Sequence, residues 1–522
     1  MIKKINKFFL KYFFLKIYLL LIRKNFNKNS FDYNFQNITF NDEVYLKKLF
    51  LSNKYFNKKF YDEQSYSYHS FDWLNVAKKI GGANNIIKSK KQLISWKKNK
   101  YKKNSFVWNS FFISKRFVNI IYNYDFFANT SSEIDKYLFH NIILEHYILL
   151  KLEINTKSTC SISLEECKAI LLGSLIYKKK TSQYISLLKK IIALQIDNNG
   201  FHKSYNPFKQ AEYINHLYEI KDILLFFNYM IPYELNFQIL NMSSLLMSLI
   251  HMDGSLALFN GSNNFYIDKI FHLTRKEKDL KPKNLKKIKK GIISYADKDK
   301  RIYMDILKPK NKPINNNFHA GTLSFELSCL NEKIITNCGA INKKFGGSPE
   351  YLRFSAAHST IILNNTNISE LIKNKLYKRA PQNISLNFFE DDENIIWESG
   401  HDGYIKNYQK IVKRKLIISK KTNKIIGQDE IFSTKANSKK INYSIRFHLM
   451  PHCNCLITND KKTVLIKTKL NQSWIFKSNS SIIIEDSIYI GGGKRVEENK
   501  QIVIYGNIKN TKKSENWSLI KS

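Results

Sequence analysis

Asn317-Phe-His-Ala-Gly-Thr-Leu-Ser-Phe-Glu-Leu327 places a histidine and a small Ala-Gly step directly before a run suited to a β-strand. Residues 334–339, Ile-Ile-Thr-Asn-Cys-Gly, read as a strand ending in a turn. Residues 354–362, Phe-Ser-Ala-Ala-His-Ser-Thr-Ile-Ile, bring a second histidine to the entry of another strand. The same texture continues outward. Short β-branched and aromatic stretches at 291–307, 323–330, 333–337, 359–363, 394–398, 411–418, 443–449, 463–468, 473–477, 481–485 and 501–505 are separated by Asn, Asp, Gly and Lys. Many short strands with no helices between them predict an antiparallel β-sandwich.

Upstream the period changes. Apolar residues recur at helical spacing over 134–153, 163–177, 184–196, 212–229 and 237–250, with few prolines and short polar breaks. Amphipathic helices in series predict a bundle, a toroid or a solenoid, and no fixed-length repeat selects among them. The charge run 275–290, RKEKDLKPKNLKKIKK, reads as a linker or solvated face and sets a boundary near residue 290. The expected division is a basic, unassigned segment 1–70, a helical domain 71–290 and a sandwich domain 291–522.

The composition supports a folded protein. Of 522 residues, 43% are hydrophobic and 14% aromatic, enough for a real core, so wholesale disorder is excluded. Lys plus Arg total 85 against 43 Asp plus Glu, a net charge of +42 that favours polyanionic partners. A chain rich together in Lys, Asn, Ile, Phe and Tyr is also what A/T-biased codons produce, so the charge alone names no ligand. No recognisable DNA- or RNA-binding motif accompanies it, which argues against specific nucleic-acid binding.

Six cysteines with no CxxC pair indicate no disulfide framework. The N-terminal run Phe8–Ile22 is interrupted by Lys11 and Lys16, too short and charged for a spanning helix. A poor export signal, a peripheral membrane-surface helix and an ordinary first helix all fit it.

Four places could carry chemistry. His319 and His358 stand at equivalent loop-to-strand entries and can converge, with Asn337 and Cys338 at a strand end between them. The polar loop 197–207 between helices carries His202, Tyr205 and Asn206, with Tyr213 just beyond it. The loop 251–261 offers His251, Asp253, Asn260 and Gly261. In a helix, His140 and Asn141 are adjacent and point about 100° apart, whereas Asn141 and Glu145 share a face.

Taken in order, these segments resemble the heparinase II/III family of polysaccharide lyases. The residues that carry the resemblance are His319-Ala-Gly-Thr-Leu-Ser-Phe-Glu-Leu-Ser328, Asn337-Cys-Gly339 and Ala356-Ala-His-Ser-Thr360. His401-Asp-Gly-Tyr404, Gly427-Gln-Asp429, Arg446-Phe-His-Leu449 and Gly491-Gly-Gly493 extend it, and 71–116, 199–207 and 251–261 continue it through the helical half.

The resemblance implies an α+β multidomain chain, an N-terminal incomplete (α/α) toroid followed by a C-terminal antiparallel β-sandwich. It also implies a carbon–oxygen lyase that cleaves a uronic-acid-containing acidic polysaccharide by β-elimination. A catalytically degenerate glycan-binding member is the alternative. Such chemistry needs a base for the C5 proton, a neutraliser for the carboxylate and an acid for the leaving oxygen. The implied catalytic set is His202, Tyr205, Tyr213, His319, Asn141 and His140, with Asn206, His251, Asp253, Asn260 and His358 binding substrate. No cofactor is required. Family members that hold a structural zinc do so with an aspartate, where this chain has Asn337, so the metal set would be His319, His358 and Asn337. The implied compartment is the periplasm or cell envelope, with the cytoplasm as alternative.

Overall fold

Alternation of buried and exposed residues along the strands is the physical basis of the C-terminal half. Lys410–Ser419 buries every second side chain, and Lys424–Ser433 follows the same rule. The computed structural model describes residues 63–99, 106–277, 279–309, 318–342, 348–372, 377–434, 440–508 and 511–522. Most of the basic segment 1–70, including the run Phe8–Ile22, lies outside them.

Two large sheets are built entirely from antiparallel pairs. One runs Ile292–Ala296, Lys300–Asp305, Phe325–Cys329, Glu332–Thr336, Ile441–Leu449, Glu497–Ile508, Ile482–Tyr489, with Ile361–Leu363 also paired to Ile441–Leu449. The other runs Asn454–Ile457, Thr463–Lys467, Ser473–Ser478, Lys512–Lys521, Lys424–Ser433, Lys410–Ser419, Asn394–Tyr404, Ile384–Glu390. Their inner faces share one core. Phe325 stacks on Trp517 at 5.5 Å, and Phe447 meets both Phe476 and Trp517 at 4.8 Å. Within that core Arg414 makes a bidentate bond to Asp429, and its remaining nitrogen donates to the carbonyls of Leu323 and Ser359. The predicted sandwich is therefore present. The single stretch expected at 291–307 is a hairpin, turned at Asp297-Lys-Asp299 by Asp297 Oδ1 accepting from the Asp299 and Lys300 amides.

The helical half contains Glu63–Ser70, Asp72–Ile80, Ala83–Lys98, Ser110–Tyr122, Tyr124–Ala128, Glu133–Thr156, Leu164–Ile176, Thr181–Gln195, Pro207–Phe226, Tyr233–Met247 and Ile267–Thr274. Their starts are chemically marked. Ser132 caps Glu133–Thr156, and Ser163 with Glu166 forms a reciprocal capping box on Leu164–Ile176. Ser110–Tyr122 packs against both of those helices. From it Arg116 is buried over the Trp96 and Trp108 rings at 4.6 and 5.0 Å, donating to His146 at 2.7 Å.

By internal contacts the chain forms two compact units. One comprises the described residues up to Leu194 together with Tyr213–Ile239; the other comprises Gln195–Glu212 and Leu240–Ser522. The loop 197–206 and the loop 251–261 thus belong with the sheets. So does the charge run 275–290; of the two readings, linker or solvated face, its packing and exposure fit the solvated face. Leu285 is buried, Lys283 donates to the Asn199 carbonyl at 2.7 Å, and the Lys286 carbonyl accepts from the Trp397 indole at 2.9 Å. Its lysines are long enough to reach solvent or polar partners while the apolar residues among them pack.

Candidate functional site: a neutral histidine pair on the sheet-bearing unit

Three chain segments meet at Asn260. Its backbone is left-handed, with φ +52°, a conformation asparagine tolerates better than most residues. Its side-chain amide donates to the Tyr205 carbonyl at 3.1 Å, and its side-chain oxygen accepts from the His319 amide at 3.3 Å. Its own carbonyl accepts from the Asn206 side chain at 2.9 Å. Asn206 also caps the helix that Pro207 begins, accepting from the Lys209 amide at 2.9 Å. One asparagine therefore clamps the 205–206 corner to the 318–320 entry.

On that clamp sits the histidine pair. His319 Nδ1 and His358 Nε2 lie 3.3 Å apart, and both rings are buried. Burial holds His319 well below the usual imidazole range, helped by His358 and the Arg353 guanidinium; burial alone takes His358 down to about 4 against a small opposing effect of Glu326. Both rings are neutral at pH 7, so a hydrogen bond between the facing nitrogens needs one of them protonated and the other bare. His319 Nε2, the other ring nitrogen, faces Gly261. A β-carbon on Gly261 would lie 3.3 Å from that nitrogen and 3.5 Å from the Asn206 amide. Gly261 also has φ +83°, so its lack of a side chain serves both the turn and the approach to His319. Gly261→Ala is expected to lower any turnover at this site at least about tenfold, at a stability cost of about 1 kcal/mol. Steady-state rates beside a thermal melt separate the two effects.

Several expected site residues have other occupations. Tyr205 donates its hydroxyl to Asp197 at 2.7 Å, and burial together with that carboxylate raises its phenol far above the ordinary range. A phenol so held is a poor base. His202 is buried, its Nδ1 within 2.7 Å of the Ser204 hydroxyl, and burial brings it down to about 3. His251 is not a surface ligand. As a neutral ring its Nε2 donates to Glu326 at 3.0 Å and its Nδ1 accepts from Ser328 at 2.9 Å, with both the imidazole and the carboxylate fully buried. Asp253 is exposed and closes its own turn on Ser255.

The remaining three belong to the helical unit. His140 is half-buried, stacked on Tyr124 and within 2.8 Å of its hydroxyl. Asn141 is half-buried beside it in sequence, and Tyr213 is buried, its phenol raised well above the ordinary value by burial and by Cys167.

Asn337 does not complete a metal site with the histidines. Its side-chain oxygen accepts from the Ser359 amide at 3.0 Å, and its buried NH2 has no partner. Two neutral imidazoles with an amide bring no carboxylate or thiolate to offset a dication, and among the described residues no three His, Cys, Asp or Glu side chains group for a metal. The donor set does not fit a closed zinc site.

Residues that the sequence gave no reason to single out also shape the site. Arg353 donates to the Phe318 carbonyl through Nε and Nη2, Lys290 lies 5.2 Å over the Tyr205 ring, and His448 bridges Ser487 and the Ala356 carbonyl. Only the Arg446-Phe-His-Leu449 pattern carried a hint of the last.

Helices followed by an antiparallel sandwich, with histidines at the sandwich's strand entries, define the class of protein. Residues 282–518 match the family model "Heparinase II/III-like, C-terminal". The C-terminal part of the chain is therefore heparinase II/III-like, as the His-Ala-Gly strand and its companions implied. Over 329 residues it is 22% identical to "FtsZ-localized protein C" of Caulobacter vibrioides, an alignment covering 59% of this chain and 56% of that protein. The chain thus matches little more than half of that relative's length. Among solved structures it is similar to heparinase III (TM-score 0.71, 13% identity, 98% of this chain and 89% of that one). It is also similar to heparan sulfate lyase HepC from Pedobacter heparinus (TM-score 0.62, 13% identity, 97% and 87%). At these identities the structural likenesses establish the fold.

Proposed function

We propose that the protein is a polysaccharide lyase acting on a uronic-acid-containing acidic glycan by β-elimination. The observation that carries this reading is the neutral His319–His358 pair, with His319 Nε2 facing the gap left by Gly261 beside the Asn206 amide. With the ring proton of His319 on Nδ1, its Nε2 lone pair can take the C5 proton of a uronate. The C5–H electrons then form the C4–C5 double bond as the C4–O bond breaks, and the departing oxygen collects a proton. An amide donor such as that of Asn206 would bind the sugar carboxylate and lower the cost of the developing charge. His319 is too weak a base while it stands alone; a bound carboxylate would raise its proton affinity only once substrate is in place.

The test is an ultraviolet assay for unsaturated uronate across a panel of acidic polysaccharides. His319→Ala is expected to lower the rate by at least about a hundredfold at a temperature where a thermal melt shows the variant still folded. An unchanged rate rejects His319 as the base.

A second reading, a non-catalytic glycan-binding member, is favoured by one specific feature. Tyr205 is locked onto Asp197, so the loop supplies no free phenol to act as acid. It predicts salt-sensitive binding to acidic glycan with no bond cleaved.

We place the protein at the cell envelope, in keeping with an acidic-glycan substrate; its Caulobacter relative is named for localisation with FtsZ. No helix among the described residues is long and apolar enough to cross a membrane. Specific nucleic-acid binding is not proposed, and neither is a zinc requirement: elemental analysis of the purified protein should find well under one zinc per chain.

A further inference from the structure

A cavity of about 560 Å³ opens on the sheet-bearing unit, within the usual size for a small-ligand site. Its lining brings together Lys308, Tyr377, Lys378, Arg379, Asp402 and Lys406. It lies where strand Asn394–Tyr404 ends and the short helix Ile405–Tyr408 begins, so the His401-Asp-Gly-Tyr404 segment forms part of its wall. A register shift between Lys410 and Val412 on the neighbouring strand bends the sheet at this point.

The charges there are unevenly committed. Asp402 has its carboxylate occupied by the Gln382 and Asn383 amides and the Asn383 side chain, so it serves as a turn. Arg379 is fixed by the carbonyls of Ile368, Asn367 and Gly403, a rigid cationic wall. Lys378 pairs loosely with Glu370 at 3.4 Å. Lys308, half-buried, and Lys406, exposed, carry no hydrogen bond or ion pair among the described residues. Two uncommitted ammonium groups on a cavity with a fixed guanidinium suit an anion larger than a simple ion.

We propose that this cavity is a binding subsite for an acidic sugar residue, its anionic substituent held by Lys308 and Lys406. The inference rests on the acidic-glycan reading above and names where such a chain is gripped outside the histidine pair.

The test is calorimetric titration of the full chain with a short oligouronate, a carboxylate-free sulfated oligosaccharide and a neutral oligosaccharide of equal length. The Lys308→Ala/Lys406→Ala double variant should bind one or both acidic probes about tenfold or more weakly, and the probe affected tells carboxylate from sulfate. The neutral probe should bind neither protein. Lys406→Glu, a change at an exposed side chain, should weaken binding on its own. Lys462→Ala/Lys469→Ala, removing two exposed lysines that do not line the cavity, should leave affinity within about twofold.

Equal losses from both double variants would reduce the attraction to diffuse charge and overturn the subsite. Absence of acidic-probe binding to the unaltered protein would do the same. Cleavage by the unaltered protein, with affinity unmoved in the Lys308/Lys406 variant, rejects the subsite alone. Affinity lost in that variant, with no cleavage by the unaltered protein, rejects the lyase reading alone.

Discussion

Glu326→Ala is expected to destabilise the sheet-bearing unit by about 3–5 kcal/mol. Glu326 is fully buried, and its Oε2 takes Lys333 at 2.8 Å, His251 at 3.0 Å and the Leu258 amide at 2.9 Å. Its Oε1 takes the Asn337 amide at 2.8 Å. Burial alone would raise this carboxyl, but the Lys333 ammonium and the His251 bond overcome that and bring it down to about 2. Removing it leaves the Lys333 ammonium buried with no counter-charge and releases the loop 251–258 from strand Phe325–Cys329. Urea unfolding followed by tryptophan fluorescence measures the loss. Glu326→Leu combined with Lys333→Met should recover more than half of it, because a matched apolar pair removes both charges. A single-variant loss below about 1 kcal/mol would mean the network is solvated and the loop is held by other contacts.

The second large effect is a loss of stability on mild acidification, from pH 7 to pH 5. Burial is the first cause of the depression at His202 and His448, to about 3, and at His251, His358 and His401, to about 4; it takes His319 well below its ordinary value. A base whose folded pKa lies below its unfolded value of 6.5 binds fewer protons when folded. Its stabilising contribution is whole above pH 6.5 and is lost as pH falls from there toward the folded value. Each such histidine contributes about 1.4 kcal/mol per pH unit in that window, so six acting together rival the whole stability of an ordinary domain. Asp305, raised by burial to about 7, works in the opposite direction, but it is one group against six. Glu326 titrates lower, between about 4.5 and 2, so the histidine phase comes first. Melting temperatures between pH 7.5 and 4.5 should fall steeply below pH 6.5. A flat profile to pH 5 would show that these rings gain protons without unfolding the sheets.

Much of this architecture could be read from the residue order. Strands with uninterrupted apolar residues at alternate positions, such as Ile441, Tyr443, Ile445, Phe447 and Leu449, announced themselves. Others did not. Lys424–Ser433 and Lys512–Lys521 place Asp429 and Glu515 on the buried face, where the alternation rule expects apolar groups. Those carboxylates are tolerated because Arg414 and Trp517 meet Asp429 and because Tyr443 donates to Glu515, partners distant in sequence.

At the candidate site, the convergence of His319 and His358 followed from their matching positions before two strands. What could not be read was which polar side chains remain available. The Tyr205 hydroxyl is engaged by Asp197, eight residues earlier, and His251 by Glu326, 75 residues later. Spacing along the chain reveals neither bond.

In the proposed reaction an acidic sugar loses its C5 proton to His319. The most direct measurement is chain cleavage of a uronate-containing glycan in heavy-oxygen water, with the products analysed by mass spectrometry. Elimination predicts unsaturated uronate ends and no solvent oxygen at the cleaved bond, with both disappearing in His319→Ala. Incorporation of heavy oxygen at the new ends, or unsaturated product made equally well by His319→Ala, would contradict it.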